Sequence, residues 1–175
     1  MSKYIPGFHN HLEVSGHNIF NLSSSPIMKD ETFTRFESLM SFVYYDFAKE
    51  NEYIQLTYGK EEYLYKIFMV GFISRYSYSL LPFDLDYTES DMEIFLRGME
   101  EYNIYHYDID VNKKDSVIVL STCTRFYGEQ TDLEFYVAGR LLRKNEKIDH
   151  YSVTKSKRYD EVEKILKGSE ENEEM

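Results

Sequence analysis

One cysteine, Cys123, and five histidines are the side chains of this sequence best suited to covalent or proton-transfer chemistry. Cys123 closes an apolar run, Val117-Ile118-Val119-Leu120-Ser121-Thr122-Cys123, and is followed by Thr124 and a polar loop. A strand end beside a loop is where reactive groups are held in the open. A nucleophilic thiol needs a base, most often an imidazole near in space though distant in sequence, and a donor for the oxyanion that develops at the attacked carbonyl. His17 follows Gly16 at a turn and is the candidate base. Because a free thiol ordinarily titrates near ~8.5, a cation beside it is needed to favour thiolate at neutral pH. The competing readings are a small buried hydrophobe for a lone cysteine and a solvated loop residue for the histidine.

Other chemistries find less support. A single cysteine excludes an internal disulfide framework and a cysteine-rich zinc site. His9 and His11 share a strand face but lack a third ligand, so no metal and no cofactor is expected. The acidic stretch Asp84, Asp86, Glu89 and Asp91 lacks the spacing and glycine of a calcium loop and reads as solvated. With 20 Lys and Arg against 31 Asp and Glu, the formal net charge is −11, which opposes nucleic-acid binding. No run approaches the length of a membrane span, and no signal-peptide pattern opens the chain. Hydrophobic residues are 42% of the 175, enough for a core, and the 17 Tyr and 12 Phe suit strands.

The elements that must position Cys123 and His17 follow from periodicity. Leu12 to Ser15 alternates apolar and polar and predicts a short strand ending at Gly16-His17-Asn18. Residues 29–50 predict a helix through Phe33, Phe36, Leu39, Met40, Val43 and Phe47, capped by Asp30 or Thr32. Two strands, 52–58 and 63–73, flank Gly59-Lys60-Glu61 at hairpin spacing. A helix over 90–101 starts at a Ser90/Glu93 capping box. Strands follow at 115–124 and 135–142, then a helix at 158–167 and a frayed acidic tail from Ser169. Hairpin and loop spacing, rather than βαβ crossovers, favours a mostly antiparallel sheet or barrel with helices outside.

The run Val117 to Thr124, followed by Phe135-Tyr136-Val137-Ala138-Gly139-Arg140-Leu141, resembles the last two strands of a class B sortase, whose nucleophile lies in a Leu-Ser-Thr-Cys motif. Gly16-His17-Asn18 resembles that family's Tyr-Gly-His-Asn motif, and a helix before the nucleophile strand is typical of the class. The resemblance covers roughly residues 12–145. It implies a mostly β, α+β fold: a mainly antiparallel β-barrel with peripheral helices. Residues 1–150 would form the catalytic domain and 151–175 a C-terminal helix and acidic tail.

It also implies a cysteine transpeptidase. Cys123 would attack the carbonyl of a Thr in a cell-wall sorting signal, and the thioacyl enzyme would be released by an amine of a peptidoglycan precursor or pilin. His17 would move the protons, with Ser121, Thr122, Asn18 and Tyr105 on the substrate side. The resemblance implies work on the outer face of the Gram-positive cell membrane through an N-terminal anchor, and no such anchor is expected within these 175 residues.

Three departures stand out. The family's arginine after the nucleophile falls on Glu134, a carboxylate of the wrong sign for an oxyanion. Arg125 is the nearest stand-in; Arg75 is remote, and Arg140 lies six residues further along the strand, about 20 Å away at strand rise. Ser15 stands where the family has Tyr. The resemblance would place the first barrel strands before His17, where few residues stand, so a truncated or rebuilt N-terminus or completion by a partner is expected. The alternatives to an active transpeptidase are a degenerate sortase-like binding module and an unrelated cysteine hydrolase.

Overall fold

The computed structural model describes residues 5–18, 36–78, 85–128 and 132–173. Strands dominate. In chain order they are β1 (His11–Gly16), β2 (Tyr53–Tyr58), β3 (Glu61–Ser74), β4 (Tyr105–Tyr107), β5 (Val117–Cys123), β6 (Leu133–Leu141) and β7 (Val153–Lys155). Five of them form a curled, half-barrel sheet in the order β1-β5-β6-β3-β2. The pairs β5–β6, β6–β3 and β3–β2 are antiparallel, while β1 joins β5 in parallel. β4 and β7 make a separate two-stranded ribbon.

The central strands read as their burial requires. Phe135 through Arg140 are all buried, so β6 faces packed matter on both sides. Phe135 and Val137 join Ile67, Val70 and Phe72 in a core on one face, with Leu39, Met40 and Val43 against them. Tyr136 and Ala138 join Val117, Val119, Met69 and Ile73 on the other. Period-two alternation therefore places Ser121, Cys123 and Glu134 on this second face, toward the strand ends.

The helices are α1 (Tyr45–Glu50), α2 (Arg75–Tyr78), α3 (Glu89–Tyr102) and α4 (Tyr159–Glu173), with a 3-10 helix over Glu37–Val43 before α1. α3 covers the second face through Met92, Phe95 and Met99, spaced three and four apart. Its cap is Thr88 with Asp91 rather than Ser90 with Glu93: Thr88 Oγ1 accepts from Asp91 N at 3.2 Å, and the Asp91 carboxylate accepts from Thr88 N at 3.1 Å. At its other end Asn103 bridges α3 to β3. Its Oδ1 accepts from Val70 N at 3.1 Å, and its Nδ2 donates to Phe68 O at 2.8 Å, beside the register shift between Ile67 and Met69.

Several expectations are corrected. The helix expected over 29–50 is two pieces where it is described, because Tyr44 takes an extended ψ of 120° between them. Its start, with Asp30 and Thr32, lies outside the described residues. β2 and β3 turn through Gly59 and Lys60 alone, with Gly59 at φ 67°. The expected frayed tail is helical as far as Glu173. β7 and α4 share the main core, since Val153, Tyr159 and Val162 are buried in it. Lys66, a charge on a central strand, is 6% exposed and bonds Asp149 at 2.7 Å and Glu146 at 3.1 Å. Among the described residues, no helix is long and apolar enough to cross a membrane.

Candidate active site

The ends of β1, β5 and β6 meet side by side. The parallel register pairs Ser15 with Ser121 and Gly16 with Thr122, so the next residues along, His17 and Cys123, stand beside each other. The antiparallel register pairs Cys123 with Glu134. A cleft of about 210 Å³ opens there, lined by Ser15, Gly16, His17, Ser121, Thr122, Cys123 and Glu134. Cys123 is exposed, as is His17, so neither thiol nor imidazole is entombed.

Local interactions fix this arrangement. Thr122 Oγ1 donates to Gly16 O at 2.7 Å and locks the end of β1 to β5. The Phe36 ring lies over Gly16 so closely that a Cβ there would sit 2.6 Å from Phe36 Cγ. Phe36 N in turn donates to His17 O at 2.8 Å. Glycine is thus required before His17 by close approach of a ring. Behind the thiol runs a polar row: Ser15 Oγ and Ser121 Oγ are 2.6 Å apart, and Ser121 Oγ donates to Glu13 Oε1 at 3.3 Å. Tyr136 Oη donates to Glu134 Oε2 at 2.7 Å.

Of the residues expected at the site, Cys123, His17, Ser121 and Thr122 line the cleft, joined by Ser15 and Glu134. Asn18 follows His17 but does not line the cleft; its Oδ1 is buried with no hydrogen-bond partner among the described residues. Arg125 is exposed in the turn after β5, outside the cleft lining, because the chain leaves the sheet after Cys123. Tyr105 is core rather than groove. It is 0% exposed, its hydroxyl donates to Phe42 O at 2.9 Å and Val43 O at 3.1 Å, and burial pushes its phenol far above the ordinary range.

Arg140 sits at the opposite end of β6, paired in register with Val117, and forks onto Glu146 at 2.7 and 2.6 Å. Arg75 begins α2 just beyond Ser74, at the β3 end that neighbours Glu134. The acidic stretch resolves into separate uses: Asp86 meets His9 at 2.9 Å, Glu89 meets Lys113 at 3.1 Å, and Asp91 caps α3, while Asp84 lies outside the described residues. His11 is buried against Tyr87, ring centroids 4.1 Å apart. No metal-ligating group of three is present among the described residues. Sequence reasoning passed over Phe36, Glu13 and Tyr136. The last two share the Cys123 face by alternation, which was a readable signal, whereas nothing in the sequence aims Phe36 at Gly16.

No protein-family model and no curated protein matches the sequence. Solved structures do. Sortase B of Clostridium perfringens superposes with a TM-score of 0.61 at 20% identity over 77% of this chain and 67% of that one. Sortase B of Listeria monocytogenes gives 0.59 at 19% over 79% and 68%, and that of Staphylococcus aureus 0.58 at 18% over 78% and 58%. The chain thus has a class B sortase-like fold. Its match spans little more than half of the Staphylococcus aureus chain, at 58%.

Proposed function

We propose that this protein is a sortase-type cysteine transpeptidase acting on a peptide sorting signal. The observation that carries the reading is the register that sets His17 and Cys123 on adjacent strand ends of one open cleft. Cys123 Sγ attacks the carbonyl carbon of a Thr residue; as the C–N bond breaks, the His17 imidazolium protonates the leaving amine, and a thioester remains. An amine of a peptidoglycan precursor or pilin then attacks the thioester, the C–S bond breaks, and the thiol is restored. Ser121 and Thr122 border the path of the acyl group. The place of action is the outer face of the cell membrane of a Gram-positive bacterium, and no cofactor takes part. Sortase B structures have been solved with a substrate and with triglycine, which supports peptide partners for this fold.

The test is intact mass after incubation with a thiol-reactive sorting-signal peptide analogue. A Cys123 adduct that disappears in His17→Ala supports the pair. A second reading, a non-catalytic binding module, is favoured by one observation: the residue opposite the thiol is Glu134 instead of a cation. Absence of an adduct in the native chain, with labelling restored by Glu134→Arg, would establish that second reading.

A further inference from the structure

We infer that Glu134 is an ammonium-binding and proton-accepting residue for the second half of the transpeptidation, a role that rests on reading Cys123 as the acylated residue. Glu134 and Cys123 are direct partners across β6 and β5, and directly opposed side chains on one face stand about 4.5–5.5 Å apart at Cβ. The carboxylate is half-buried, lines the cleft, and is held by Tyr136, itself 1% exposed, through the 2.7 Å bond to Oε2. Tyr136 is the side-chain partner seen on it among the described residues. A part-buried carboxylate held in one orientation favours a cation docked beside it. Glu13 lies on the same face two strands away, and the chain carries −11 overall, so the local field favours a positive ligand. The open cleft of about 210 Å³ gives a primary amine access to Glu134 beside Cys123.

The step balances. An incoming R–NH3⁺ docks on Glu134, and the carboxylate takes one of its protons. The neutral amine forms a C–N bond to the thioester carbonyl carbon, and the C–S bond breaks. His17, neutral after acylation, takes the second proton from the attacking nitrogen and delivers it to Cys123 Sγ, while Glu134 releases its proton to solvent. The substituted position thus trades help for the oxyanion in acylation for capture of the amine in deacylation.

The experiment compares glycinamide, an ammonium at neutral pH, with uncharged N-acetylglycinamide on the full chain, following the His17 imidazole resonances by NMR. The expected result is glycinamide binding at the cleft, no binding of the acetylated probe, and affinity about tenfold weaker in Glu134→Gln, the scale of one charge-assisted hydrogen bond. Gln keeps an acceptor for Tyr136, so the fold is retained. Equal binding of both probes, or unchanged affinity in Glu134→Gln, overturns the inference. In a second arm Cys123 is acetylated with p-nitrophenyl acetate and released by glycinamide or by neutral hydroxylamine. Glu134→Gln is expected to slow release by glycinamide about tenfold more than release by hydroxylamine. An equal slowing overturns the proton-transfer role. A Cys123 that takes no acetyl group while glycinamide still binds through Glu134 overturns the transpeptidase reading and supports the ammonium site.

Discussion

Replacing Gly16 by Ala probes the packing that holds His17 beside the thiol. The new Cβ would lie 2.6 Å from Phe36 Cγ and 2.7 Å from Phe36 Cδ1, distances that force the ring to move. Overpacking of this kind destabilises by about 1–3 kcal/mol. At roughly 2–4 °C per kcal/mol for a chain of this size, the melting midpoint should fall by several degrees. Because Phe36 N donates to His17 O, displacement of the ring also pulls on the residue proposed as the base, so the rate of Cys123 adduct formation should drop as well. A double-mutant cycle isolates the cause. In a Phe36→Ala background the collision is gone, and Gly16→Ala should then change stability by less than about 0.5 kcal/mol, leaving a coupling of at least about 1 kcal/mol between the two positions. Thermal unfolding of the four proteins supplies the numbers. Identical penalties in both backgrounds would refute the account of why glycine precedes His17.

Thr122→Val removes the 2.7 Å bond to Gly16 O while keeping the side chain's shape; stability should fall by about 1–2 kcal/mol, with slower peptide labelling of Cys123. Tyr105→Phe loses the donor to Phe42 O and Val43 O, so chemical denaturation should show a similar loss, while the labelling rate stays that of the native chain. Glu146→Gln leaves Arg140, 3% exposed, and Lys66 short of their shared partner, a loss of about 3–5 kcal/mol. The Arg140 guanidinium holds the Glu146 carboxyl well below the usual carboxylate range. Its stabilisation is therefore complete above the ordinary glutamate pKa of about 4.3 and lost as pH falls toward the depressed folded value; the Gln variant should lose that part of the acid slope in a pH series of unfolding midpoints.

The nucleophile strand was legible because β-branched residues run unbroken from Val117 to Val119 and polar residues follow only at its end. His17 was legible through the short alternating strand before it. Their resemblance to class B sortases agrees with the fold of the solved structures. The parallel pairing of β1 with β5 was not legible: it joins segments about a hundred residues apart, and neither carries a local sign of its partner. β4 and β7 escaped notice because three residues are too few to show a period. The Thr88 cap was displaced by two residues because Ser90 and Glu93 satisfy the same spacing rule as Thr88 and Asp91. The acidic tail was read as frayed by its charge, although glutamate is itself a good helix former. Tyr105 was placed on the substrate side by the resemblance alone; two backbone carbonyls beneath it claim its hydroxyl instead.

The most direct test of the central claim is a disulfide trap. His17→Cys places a second thiol beside Cys123, one residue beyond the Gly16–Thr122 pair, where neighbouring strands lie about 4.8 Å apart, within the Cα span that a disulfide bridges. Mild oxidation of the monomer should remove both free thiols and lower the intact mass by two hydrogens. Two thiols that stay free under those conditions, or that join only between molecules, would contradict the shared cleft and the chemistry built on it.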